Sequence, residues 1–176
     1  MSPSPNWRHS GGMPSGTRFL ENLAYLVPGY RGYKDKELRQ EEDSRLRSRV
    51  LAKLQVVRTL LDERRERLQE TNAPAAEGWL RRLRRVEALA EAVRYAPYGF
   101  SGFFEAERVR EETLERLLET DLLLFQDLDD AVEVLRAAPL AGSARPSQTE
   151  MIAALDQLID AVETRLVTRD KVLADR

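Results

Sequence analysis

Apolar side chains recur along most of this chain at alternating three- and four-residue intervals. Val50, Leu54, Val57, Leu61 and Leu68 form one series, with Arg64 in the remaining slot. Trp79, Leu83, Val86, Ala90 and Val93 form a second, and Met151, Leu155, Leu158, Val162 and Leu166 close the chain with another. The richest series lies between them: Leu114, Leu117, Asp121, Leu124, Leu128, Ala131 and Leu135, with Leu118, Leu122, Phe125 and Val132 alongside. Spacing that averages about 3.5 residues puts each set on one face of a helix. No stretch alternates β-branched and polar residues with period two, so no sheet is expected.

Proline and glycine mark where these helices stop. They cluster at Pro28-Gly29-Tyr30-Arg31-Gly32, at Pro74, from Pro97 to Gly102, and from Pro139 to Pro146. Both residues are poor inside helices, so the intervals between clusters are the elements. The spacing predicts a short helix near 18–26 and long helices near 33–71, 75–96, 103–137 and 147–173. Pro74 suits a first helical turn, and Ser147-Gln148-Thr149-Glu150 has capping-box spacing. The fold class that follows is all-α: an antiparallel bundle of about four long helices with coiled-coil-like seams. A single domain over 17–176 is expected, preceded by a flexible tail over 1–16 that holds four Ser, three Pro and three Gly.

Short connections make consecutive helices antiparallel neighbours. The start of the second, the end of the third and the start of the fourth then share one end of the bundle. That end gathers Tyr25, Tyr30, Tyr33, Tyr95, Tyr98, Phe100, Phe103 and Phe104, eight of the twelve aromatic residues. The favoured reading is a mini-core that closes the bundle, with the phenylalanines inside. The alternative is a partner surface formed by Tyr30, Tyr33, Tyr98, Phe100 and Phe103, with Tyr30 and Tyr98 as its outward contacts. Between Lys34 and Ser44 Leu38 is the one apolar residue, so this stretch is expected to project or to pack weakly.

The net charge of −2 conceals a division: residues 1–101 carry 19 basic and 13 acidic side chains, and residues 102–176 carry 9 and 17. Arg64, Arg65, Arg67, Arg81, Arg82, Arg84 and Arg85 come to similar height in an antiparallel pair and form a candidate anion-binding cluster. Glu111, Glu112, Glu115 and Glu119 on the fourth helix are expected to neutralise much of it. Asp121 stands apart, because it falls on an apolar seam. A buried carboxylate requires a partner, and height matching offers Arg67, Arg82 or another nearby Arg.

Catalytic chemistry is poorly provided for. The chain has no Cys, and its one histidine, His9, sits in the expected tail. Four Lys against 24 Arg leave few tunable bases. No phosphate-binding loop, dinucleotide glycine pattern, nucleophile elbow or zinc motif occurs. Asp127, Asp129, Asp130, Asp156 and Asp160 lack the His partners of helical di-metal sites and read as a solvated acidic face, so no metal and no cofactor are expected. The sequence reading is therefore a non-enzymatic, cytoplasmic helical interaction or scaffold protein, acting through a protein partner or self-association. The alternatives are a nucleic-acid phosphate-backbone binder using the arginine cluster and a peripheral membrane adaptor using the aromatic end. No segment is long and apolar enough to span a membrane.

Overall fold

A computed structural model describes residues 16–70, 72–96, 102–137 and 148–174. Six α-helices occur there, α1 (Gly16–Leu26), α2 (Arg39–Gln69), α3 (Ala73–Tyr95), α4 (Gly102–Glu105), α5 (Glu111–Ala137) and α6 (Gln148–Ala174), with a 3-10 turn at Lys36–Leu38. No strand is present among the described residues. The predicted all-α bundle is the observed one. Of the expected tail, only Gly16 is described, and it opens α1; His9 and Ser147 of the expected capping box lie outside the described residues.

Local chemistry explains the helix ends. Asn72 caps α3, its side chain accepting from the Ala75 N–H at 3.2 Å, and Pro74 occupies the first turn. At the other end, Ala96 turns to an extended ψ of 130°, as the residue before Pro97 must. Gly29 and Gly32 both have φ near +81°, and this pair of left-handed residues folds the link after α1 back onto α2. Gly32 is also crowded, since a Cβ there would sit 2.9 Å from Leu20 Cδ1.

One break was not foreseen. The expected helix over 103–137 is two helices, α4 and α5, although Ala106 to Arg110 contains neither Pro nor Gly. Arg39, itself buried, donates through Nη1 to the carbonyls of Phe103 at 2.9 Å and Ala106 at 2.7 Å. A continuous helix would use those carbonyls four residues on. A charged donor from another helix satisfies them instead, and the chain turns.

The hydrophobic seams predicted from spacing form the core. Val50, Leu54, Val57 and Leu61 of α2 are buried, with Trp79, Leu83 and Val86 of α3 and Leu155 and Val162 of α6. α5 is apolar over more than one face because it packs on α6, α1 and α2 together. α2–α3 and α5–α6 are the antiparallel hairpins. The hairpins pair with like directions adjacent. Lys53 with Asp129 and Arg64 with the Leu135 carbonyl advance together along α2 and α5. Arg82 with Asp156 and Arg85 with Asp160 do so along α3 and α6. α3 and α5 are thus diagonal, which corrects the expectation that all consecutive helices are neighbours.

The two glycines offer a test. Gly32→Ala should cost about 2–3 kcal/mol, from left-handed strain together with the Leu20 clash. Gly29→Ala, whose Cβ meets only the mobile tip of Arg45, should cost about 1–2 kcal/mol. Urea melts of both variants check the order, and equal losses would show that Leu20 moves aside freely.

Candidate functional site

The closing end of the bundle holds charges where a core would be expected. Asp43 and Asp121 are both 0% exposed, Arg169 is 3% and Arg47 is 7%. Arg169 donates through Nε to Asp121 Oδ1 at 2.7 Å, and through Nη2 to Asp43 Oδ1 and to the Tyr33 hydroxyl at 3.0 Å. Tyr33 in turn donates to Asp121 Oδ2 at 3.1 Å. Arg47 completes the set, donating through Nε to Asp43 Oδ2 at 2.7 Å. Two carboxylates and two guanidiniums balance, and every carboxylate oxygen has a donor. The link after α1, α2, α5 and α6 each contribute to this cluster.

Burial dominates its electrostatics. It raises the Asp121 pKa above its ordinary 3.8, against the opposing pull of Arg169. It likewise raises the Tyr33 hydroxyl, which keeps its proton and remains a donor to Asp121. For Arg169 burial works the other way, yet Asp121, Tyr33 and Asp43 together outweigh it and hold the guanidinium charged.

Asp121 is buried and paired, as its seam position implied, but the partner is Arg169. Arg67 instead faces Glu63 at 3.7 Å, and Arg82 reaches Asp156 at 2.5 Å. Height matching failed because it treated α3 and α5 as neighbours. The same seam logic could have found the true partners. Counting back from Val50 by three- and four-residue steps reaches Arg47 and Asp43, and counting on from Leu166 reaches Arg169. The stretch expected to project is therefore part of the interior, where Arg39, Glu42 and Asp43 are buried. Glu42 accepts from the Arg31 N–H at 2.9 Å, and Arg39 Nε donates to the Tyr33 carbonyl at 2.9 Å.

The aromatic residues stack edge-on above this cluster. Tyr30 meets Tyr33 at 5.6 Å, Tyr33 meets Phe103 at 5.6 Å, and Phe103 meets Phe104 at 5.4 Å, with interplanar angles of 80–89°. All four rings are buried, so they form the mini-core. Tyr30, expected as an outward contact, is buried, and its hydroxyl has no hydrogen-bond partner among the described residues. Tyr98 and Phe100 lie outside the described residues, and Tyr25 and Tyr95 are exposed.

The arginine cluster is divided among several partners. Arg82 pairs with Asp156, and Arg85 with Asp160 and Glu163, all on α6. Arg65 holds Asp62, and Arg64 donates to the Leu135 carbonyl. The neutralising acids are thus α6's, not Glu111, Glu112, Glu115 and Glu119; Glu111 is at the opposite end, beside Lys34. Arg81 and Arg84 are exposed and have no acidic partner among the described residues. The expected solvated acidic face is largely engaged too, since Asp127 pairs with Arg165 and Asp129 with Lys53. Among the described residues no group of three or more His, Cys, Asp or Glu is placed to hold a metal ion.

A small cleft of about 40 Å3, open to solvent on its outer side, lies between α3 and α6 beside the charge cluster. Leu46 and Val50 of α2, Val93 of α3, Leu124 of α5 and Leu166 of α6 give it apolar walls. Arg47 and Arg169 line its polar side, and Asp170 stands at its exposed edge.

Two measurements probe the cluster. Asp121→Ala strands the buried Arg169 and should cost about 3–5 kcal/mol, whereas Asp129→Ala at the outer Lys53 pair should cost about 1 kcal/mol. Equal small losses would contradict the buried assignment. The second follows from proton linkage. Since the native state holds the Asp121 proton more tightly than the unfolded chain, this group contributes most favourably below pH 3.8. Its contribution declines as pH rises through the raised pKa. Asn cannot ionise, so Asp121→Asn should gain stability relative to the parent across that window in urea melts at successive pH values. A gap that does not change with pH would show that Asp121 does not titrate with folding.

No protein-family model, no curated protein and no solved structure matches this chain.

Proposed function

We propose that the protein is a non-enzymatic helical scaffold that acts through protein–protein contacts, with a cytoplasmic setting and either a second copy or another protein as partner. The observation that supports this reading is the buried cluster of Asp43, Arg47, Asp121, Arg169 and Tyr33, which ties four segments into one rigid end. A rigid interior keeps the outward helix faces at fixed spacing, and pre-organised faces bind with less ordering cost. The ionisable groups of the interior are consumed in this bracing.

A phosphate-backbone binder is the second reading, favoured by Arg81 and Arg84, which are exposed one turn apart on α3 without acidic partners among the described residues. The membrane-adaptor reading keeps less support. Tyr30, Tyr33, Phe103 and Phe104 face inward, and no described helix is long and apolar enough to cross a membrane.

Affinity purification from the native cell, divided into nuclease-treated, detergent-treated and untreated arms, tests the choice. The expected result is a stoichiometric protein partner, or a second copy, that survives both treatments. Loss of all co-eluting material with nuclease would overturn the scaffold reading if duplex DNA also retains the chain in a salt-sensitive way that Arg81→Gln with Arg84→Gln abolishes.

A further inference from the structure

Tyr30 is 4% exposed, and its buried hydroxyl has no hydrogen-bond partner among the described residues. A stranded hydroxyl is costly there, and phenylalanine would fill the same space without one. Yet the hydroxyl is not isolated. The Tyr30 ring meets Tyr33 edge-on at 5.6 Å, and burial, Tyr33 and Asp121 together push the Tyr30 pKa up. An unused acceptor thus stands beside a chain of hydrogen bonds that runs from Tyr33 to Asp121 Oδ2 and on to Arg169. We propose that the closing end is a proton-operated latch: a proton taken up on Asp121 Oδ2 reverses the bond to Tyr33, and Tyr33 turns its own proton to the Tyr30 hydroxyl.

The hydrogen bonds already made direct each step. Oδ1 is held by the Arg169 Nε–H at 2.7 Å, so a proton from solvent goes to Oδ2 and makes that oxygen a donor. Tyr33 Oη then accepts from Asp121 while still accepting from Arg169 Nη2 at 3.0 Å. Its lone pairs are spent, and rotation about its own C–O bond carries its proton to Tyr30 with no covalent bond broken. Asp43 is already engaged by Arg169 and Arg47.

The groups that face Asp121 set the direction. Arg169 comes from α6, Asp43 with Arg47 behind it from α2, and Tyr30 and Tyr33 from the link after α1. Arg39 and Glu42 of α2 are spent on backbone groups, while Glu21 and Tyr25 of α1 and Asp170 and Lys171 of α6 are exposed. Burial favours the proton and Asp43 adds to it; Arg169 and the Tyr33 hydroxyl oppose it, and burial prevails. The cleft bordered by Arg47 and Arg169 opens to solvent and brings water to the cluster's edge. The closed end therefore holds the proton more tightly than an opened one. It tightens as pH falls and loosens as pH rises through the raised pKa. The latch does not depend on the scaffold reading, since it follows from the cluster's hydrogen bonds alone.

Carboxyl 13C NMR of the full chain, titrated with pH, tests it, with Asp121→Asn identifying the signal. Tyr30→Phe should lower the Asp121 midpoint by about half to one pH unit, the worth of one neutral hydrogen bond lost from the proton-bound state. Above that midpoint Tyr30→Phe should leave the urea midpoint unchanged or higher, because the hydroxyl then supports nothing. In the Asp121→Asn background it should lower the urea midpoint, because the side-chain amide N–H stands where the proton would. In the parent chain, amide exchange over residues 166–173, corrected for its intrinsic pH dependence, should quicken as pH rises through the same midpoint. Three results would each overturn the proposal: an Asp121 midpoint that Tyr30→Phe leaves unchanged or raises, a Tyr30→Phe chain that fails to fold above that midpoint, or exchange without a step there.

Discussion

The pairing of Arg169 with Asp121 and Asp43 is the constraint on which the rest of the closing end depends. Three charges from three helices meet in the interior, where Asp43 and Asp121 are fully buried and Arg169 nearly so. Such a cluster adds little net stability compared with a well-packed apolar core, because removing charges from water offsets most of their attraction. Its effect is on alternatives. Sliding α6 by one turn, about 5.4 Å, would leave Arg169 and Asp121 buried without an ion partner, at several kcal/mol for each ion, and Asp43 with Arg47 alone. Leucines in a seam tolerate such a slip far better, so the charges set the register that the seams leave loosely specified.

The neighbouring features extend from this cluster. Tyr33 donates to Asp121 through its hydroxyl, accepts from Arg39 through its carbonyl, and packs its ring on Phe103. Arg39 then takes the carbonyls of Phe103 and Ala106, which ends α4 and frees the chain to start α5. The turn at Gly29 and Gly32 delivers Tyr30 and Tyr33 to their places. One polar chain of contacts therefore links the direction of the loop after α1, the break before α5 and the phase of α6. Aromatic rings cover it from above, and the lower local dielectric that results strengthens each hydrogen bond beneath them.

The same arrangement separates the interior from the surface chemically. Charges balance one another inside, while the arginine-rich middle of the bundle is tied by ion pairs to Asp156, Asp160 and Glu163. Arg82–Asp156 is part-buried, whereas the Arg85 pairs are solvent-exposed and each contributes about 0–1 kcal/mol. They orient α3 alongside α6 without adding much to stability. Arg81 and Arg84 are exposed members of the basic cluster with no acidic partner among the described residues.

The all-α class, most helix limits and the apolar faces were legible in the chain, because they depend on local rules: the spacing of Val50 to Leu61, the Pro and Gly breaks, the helix start at Pro74. The burial of Asp121 was legible for the same reason, as a polar residue on an apolar seam. Its partner was not, since choosing Arg169 over Arg67 or Arg82 requires knowing that α5 lies beside α6 and diagonal to α3. The break at Ala106 was equally invisible, because its cause is Arg39, 67 residues away in sequence. The stretch from Lys34 to Ser44 misled for a related reason. Polar composition normally means exposure, and that rule fails where charges bury one another. The sequence by itself determined where helices form and which faces turn inward. Only the tertiary structure decided which charges meet, because ion pairs form between side chains brought together by packing, over distances that no local pattern encodes.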